Sequence, residues 1–182
     1  MSFFKKPVTA ILLAVILCSG ILMVNTQVKL GNEVDAVEGA FFNNVEGQRS
    51  IYTRLLEKLQ AVNGVWTILN RYDSDAAQEL ANEQDYLQWA CESTSINSMY
   101  YANEDLNAEF SSALRTLEGY ELTEDEQADL DSYVETYNGA QKMIEENSYN
   151  SQVLDFTRST YNKFPTKELA TFAGVYPPDT FS

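Results

Sequence analysis

The chain has no histidine and two cysteines, Cys18 and Cys91. Without histidine, His-based triads, imidazole acid–base relays and His zinc sites fall away together. Carboxylates are the remaining chemical resource, with 27 Asp and Glu against 12 Lys and Arg. A pair such as Glu92 and Asp105 could act as acid and base if burial drove their proton affinities apart. So many acids make chance pairs abundant, however, and no enzyme is expected on this ground. The acidic run Glu124, Asp125, Glu126 and Asp129 follows Thr123, and Thr123 with Glu126 has the spacing of a capping box. Negative charge there favours the positive end of a helix, which accounts for the cluster without a metal. A calcium loop would need alternating Asp or Asn, a central glycine and a closing glutamate, which this run lacks. Cys91 has no histidine to activate it and is expected to behave as a small buried hydrophobe. No catalytic, cofactor-binding or metal-ligating residue is therefore predicted, and no cofactor.

The charge is unevenly placed. Up to Gly31 the only charged residues are Lys5, Lys6 and Lys29, against a formal net charge of −15 for the whole chain, so the remainder carries −18. Such a surface repels nucleic acid phosphates and anionic headgroups, so no nucleic acid partner is predicted. Its simplest role is to keep an extracytoplasmic domain in solution.

The element that must place this domain is the uncharged run Pro7 to Val24, preceded by Lys5 and Lys6. As a helix it would be about 27 Å long, close to the roughly 30 Å hydrocarbon core. Asn25, Thr26 and Gln27 follow it, with no small-residue exit of the signal-peptide kind. The run is expected to be an uncleaved signal-anchor, with a cleaved signal peptide as the alternative. Leu17 before Cys18 disfavours a lipid attachment site. The lysines favour a cytoplasmic N-terminus. The predicted layout is a short cytoplasmic start over 1–6, a single-pass transmembrane segment over 7–25 and an extracytoplasmic domain over 26–182.

That domain is predicted to be all-α, an antiparallel bundle of three to four long helices. Apolar residues from Leu30 through Val34, Val37, Phe41, Val45, Tyr52, Leu55 and Leu59 to Val62 step by three or four, apart from a skip over Gln48, and read as one long helix. A break is expected at Asn63-Gly64, and Asp73 or Ser74 can cap the next helix. The pattern then runs to about Leu117, with Ile96, Met99, Leu106, Phe110, Leu114 and Leu117 on one face and a polar slot at Asn103. Whether 65–117 is one helix or two stays open. Glu118-Gly119 suggests a stop. A helix from Thr123 is expected to continue toward Tyr161, with Pro165 ending it. Thr166 can then cap a short helix closed by Gly174. No run of alternating residues with hairpin turns suggests a strand.

The closing stretch carries Tyr149-Asn150, Val153, Phe156, Phe164-Pro165, Ala170, Gly174 and Phe181. This pattern resembles the end of LemA family proteins, with the gap from Phe156 to Phe164 one residue longer and the family's second Tyr-Asn pair replaced by Phe156-Thr157. Gln48-Arg49 matches the family's Gln-Arg, although SIYTRLLEKL after it lacks the second arginine, the aspartate and the proline. The resemblance implies an extracytoplasmic, membrane-tethered bundle of long helices. It implies no activity, cofactor or catalytic residue, so no site is carried over. The expected function is a protein-interaction or scaffold module of the cell envelope. It would contact the lipid bilayer through residues 7–25 and a protein partner in or at the membrane. An extracytoplasmic sensor or ligand-binding domain working through a membrane partner is the alternative.

Overall fold

The computed structural model describes residues 7–44 and 47–182, with side chains from Cys18 onward apart from 45 and 46. The predicted segment 1–6 and the side chains of most of the predicted span 7–25 lie outside the described residues. The described chain is all-helical, without strands. Its helices are α1 (Pro7–Phe42), α2 (Ile51–Tyr72), α3 (Ser74–Ser93), α4 (Ile96–Leu117), α5 (Glu124–Glu145), α6 (Tyr149–Phe156) and α7 (Thr166–Ala173). A π-helical turn, Thr157–Tyr161, follows α6. Among the described residues no helix is long and apolar enough to cross a membrane.

The chain divides into two compact units. One comprises 40–150 and 179–182, the other 1–39 and 151–178. The first is a helical bundle in which α2 packs against α5 and α3, and α3 packs against α4. Ile51, Leu55, Lys58, Val62, Val65 and Leu69 are all buried along α2. Their steps of four and three keep them on one face. On α4 the buried face runs through Ile96, Met99, Asn103, Leu106, Phe110 and Leu117. The predicted polar slot at Asn103 thus points into the core.

The long helix expected over Leu30 to Val62 is two helices, α1 and α2, and the skip at Gln48 marks the gap. Ser50 starts α2 as its N-cap, its hydroxyl accepting from the Thr53 N–H at 3.1 Å and donating to the Phe42 carbonyl at 3.1 Å. Asn44 Oδ1 accepts from the Ser50 N–H at 2.8 Å. These bonds satisfy backbone groups that a continuous helix would have used itself. Conversely, the break expected at Asn63-Gly64 is helix interior. Gly64 sits where the Tyr133 ring of α5 crosses, and a Cβ there would lie 2.5 Å from Tyr133 Cζ. The glycine marks a close approach, which sequence alone cannot separate from a turn.

The chain breaks at Asp73 instead, whose carboxylate accepts from the N–H groups of Asp75 and Ala76 and caps α3 as expected. The stretch left open is thus the end of α2 followed by two helices. Thr94, in the left-handed region at φ 55°, separates α3 from α4. The Thr123–Glu126 capping box opens α5 in both directions. The helix predicted from Thr123 toward Tyr161 stops at Glu145. There the Asn147 side chain accepts from the Tyr149 N–H at 2.9 Å and starts α6. The stop signal is local side-chain competition at Asn147, not proline.

In the other unit, Leu30 of α1 forms a small core with Tyr161 and Ala170, against which Phe156 and Val175 pack. Tyr161 donates its hydroxyl to the Val175 carbonyl at 3.0 Å. Gly174 closes α7 at φ 70°, as expected. Residue Thr166 is the first of α7, and Pro165 occupies the cap position instead of Thr166. No side-chain cap is formed there.

Candidate functional site

Among the described residues Lys58 is the one charged side chain that is buried, at 0% exposure. An ammonium has three N–H donors and must spend all of them when water is excluded. Lys58 Nζ donates to Asn103 Oδ1, to Asn107 Oδ1 at 2.6 Å and to Gln141 Oε1 at 2.7 Å. The Tyr137 ring centroid lies 4.4 Å from Nζ, within cation–π range. That ring stacks on Phe110 at 3.7 Å between centroids. Its hydroxyl donates to Asn107 Oδ1 at 2.8 Å. Residues of α2, α4 and α5 therefore converge on one nitrogen.

The amides also face outward. Gln141 Nε2 donates to Glu145 Oε1 at 2.9 Å, and Asn107 Nδ2 donates to Glu104 Oε1 at 3.3 Å. Each amide thus stands between the buried cation and a more exposed carboxylate, with its dipole aligned to both. Such chains polarise and strengthen one another in a low-dielectric interior. Burial nevertheless dominates the lysine's proton affinity. Desolvation pulls its pKa from 10.5 to about 7, against the opposing pull of Glu104 and Glu145. Burial likewise pushes the Tyr137 phenol well up, with Glu104 adding to the effect.

A lysine with a pKa near neutrality can be a nucleophile or base, but only if a substrate reaches Nζ. Here every donor is engaged and no surface is exposed. A cavity of about 130 Å³ adjoins the cage, lined by Asn103, Glu104, Gln141, Glu145, Asn150 and Phe181 among others. The arrangement fixes register. Sliding α2, α4 or α5 by one residue would strip the ammonium of an acceptor, and buried polar groups have their best-attested use as such keys. Sequence reasoning missed Lys58 because it followed Leu59. The signal was available: Lys58 lies on the Ile51, Leu55, Val62 ladder, opposite the polar slot already visible at Asn103.

The other residues singled out from sequence resolve individually. Glu92 and Asp105 are exposed on α3 and α4, and Glu92 accepts from Gln88 at 3.1 Å. Cys91 is buried at 3% exposure, and desolvation, with Glu92 nearby, pushes its thiol pKa up to about 11. This is the inert environment expected of it. Glu126 is held down to about 2, chiefly by the Thr123 backbone N–H and then by the Tyr72 hydroxyl. Among the described residues no group of three or more Cys, Asp and Glu is placed to hold a metal ion.

The closing motif is structural where it can be followed. Tyr149, fully buried, donates its hydroxyl to the Asp179 carbonyl at 2.7 Å. Asn150 donates to the Phe181 carbonyl at 2.8 Å and accepts from the Phe181 N–H at 2.7 Å. Phe181 packs against Phe41 and Tyr100. Phe164 is the exception, at 84% exposure. Compared with family models, curated proteins and solved structures, the chain matches none.

Proposed function

We propose that this chain is a membrane-anchored, extracytoplasmic helical-bundle protein of the LemA type, acting as a protein-interaction or scaffold module of the cell envelope. Residues 7–25 are the anchor and 26–182 the domain, with the bundle helices antiparallel. The observation that carries this reading is uncovered apolar surface on α1. Ile21, Leu22, Val24 and Val28 are 68%, 55%, 62% and 56% exposed. Burial favours each by about 25 cal/mol per Å² of apolar area removed from water, and a hydrocarbon phase supplies such a cover. They extend the charge-free run that begins at Pro7. The LemA reading is supported by the packing duties of Tyr149, Asn150 and Phe181. Those duties explain why such a motif holds its residue types without any chemistry.

The interaction reading is preferred to ligand sensing because the cavity beside Lys58, at about 130 Å³, and two others on the bundle, at about 240 and 280 Å³, are small. Small-molecule pockets run to roughly 300–1,000 Å³. The test is fractionation with protease protection. The protein should stay with membranes after high-salt and alkaline washing, and protease added to intact protoplasts should digest the domain. Release by washing would remove the anchor from the proposal. Digestion only after lysis would reverse the orientation.

A further inference from the structure

Among the described residues, the three most exposed large hydrophobic side chains are Phe164 at 84%, Phe172 at 76% and Tyr176 at 69%. All three lie within 151–178, the part of the chain that shares a unit with α1 up to Gly39. The charge of this stretch is also out of character. Its basic residues are Arg158, Lys163 and Lys167 and its acidic ones Asp155 and Glu168, a net +1, in a chain of net −15. Aromatic side chains interleaved with lysines are the composition of segments that sit at a membrane–water boundary. The acidic bundle could not approach an anionic surface, whereas this stretch can.

Height along α1 agrees. Tyr161 and Ala170 pack on Leu30. Leu30 lies five residues beyond Asn25, where the anchor ends, about 7.5 Å along a helix. The headgroup layer on each side of the hydrocarbon core is roughly 5–8 Å thick. A segment packed at Leu30 therefore stands at about the outer part of the headgroup layer above an anchor of residues 7–25. We propose that Phe164, Phe172 and Tyr176, with Lys163 and Lys167, form a second bilayer contact, the rings in the interface and the lysines on the phosphates of anionic lipids. This contact rests on the anchored reading of 7–25. It turns a single tether into two points of attachment, which limits swivelling of the unit on the membrane.

The test uses the full chain in vesicles of phosphatidylcholine and phosphatidylglycerol, with Trp66 and Trp89 replaced by Phe. A single reporter is introduced as Phe172→Trp, Tyr176→Trp or, to follow the anchor, Ile21→Trp. All three positions are exposed, so the fold should tolerate them, and circular dichroism checks this. Shallowly brominated lipid should quench the reporters at 172 and 176 and shift their emission to the blue. Adding Lys163→Gln and Lys167→Gln should lower the ratio of lipid-contacting to water-exposed reporter about fivefold per lysine in phosphatidylglycerol vesicles. A quenched reporter at 21 with unquenched reporters at 172 and 176 would overturn the second contact and leave the anchor standing. Unquenched reporters at all three positions would overturn both.

Discussion

Replacing Lys58 by Met tests whether burial or the amide cage governs this site. The lysine's pKa in the folded chain, about 7, lies below its ordinary 10.5. Between those values the unfolded chain binds more protons than the folded one, so this group makes stability rise with pH across the window. Each tenfold change in proton affinity corresponds to about 1.4 kcal/mol, so the full gap amounts to about 5 kcal/mol. Met keeps the aliphatic volume and removes the titration. It also leaves the Asn103, Asn107 and Gln141 oxygens without their donor, which contributes an offset that does not change with pH. The quantity to measure is the unfolding free energy of the wild type minus that of Lys58→Met, by urea titration of the full chain in neutral detergent from pH 6.5 to 10. Background ionisations largely cancel in that difference. It should climb at about 1.4 kcal/mol per pH unit once pH exceeds 7. A flat difference would refute the reasoning. It would mean that three amide oxygens, the Tyr137 ring and the two carboxylates offset desolvation completely.

Gly64→Ala should destabilise the bundle by about 1–3 kcal/mol despite alanine's higher helix propensity, because the new methyl meets the Tyr133 ring. Combining it with Tyr133→Leu should restore much of the loss in a thermal melt. Gly139→Ala, with nothing within 4 Å of the added Cβ, should instead stabilise by about 0.5–1 kcal/mol. Tyr72→Phe should raise the Glu126 pKa from about 2 toward the ordinary carboxylate range, read by NMR titration. The stabilisation linked to this carboxylate is present above about pH 4.5 and is lost as pH falls toward 2. An unmoved value in Tyr72→Phe would assign the effect to Thr123 and Arg71 alone. Asn150→Ala should cost about 1–3 kcal/mol and speed hydrogen exchange at the Phe181 amide, and unchanged exchange would contradict the paired bonds seen there.

Signals that depend on neighbours in sequence were legible. Asp73, the Thr123–Glu126 box and Gly174 each act within four residues, and each works as its residue type predicts. The all-helical class followed from periodicity in the same way. What depends on a second helix was not legible. Gly64 has the composition of a break, and only the Tyr133 ring from α5 explains its place inside α2. Ser50 and Asn44 end a stripe whose apolar spacing continues almost unbroken past them, because capping bonds override periodicity. Lys58 needs Asn107 and Gln141 from two other helices before it becomes a site at all. An exposed aromatic such as Phe172 cannot be told from a buried one by spacing in a helix as short as α7.

Asn150 and Phe181 join across a separation of 31 residues, and this clasp makes the stretch between them a closed ring within the chain. Closure entropy grows slowly with contour, by only about 0.6 kcal/mol for each doubling of length. A ring fastened at its neck can therefore be lengthened at little entropic cost to the closure itself. The exposed positions between 151 and 178 can lengthen or vary, while Tyr161 and Ala170, packed on Leu30, hold their residue types.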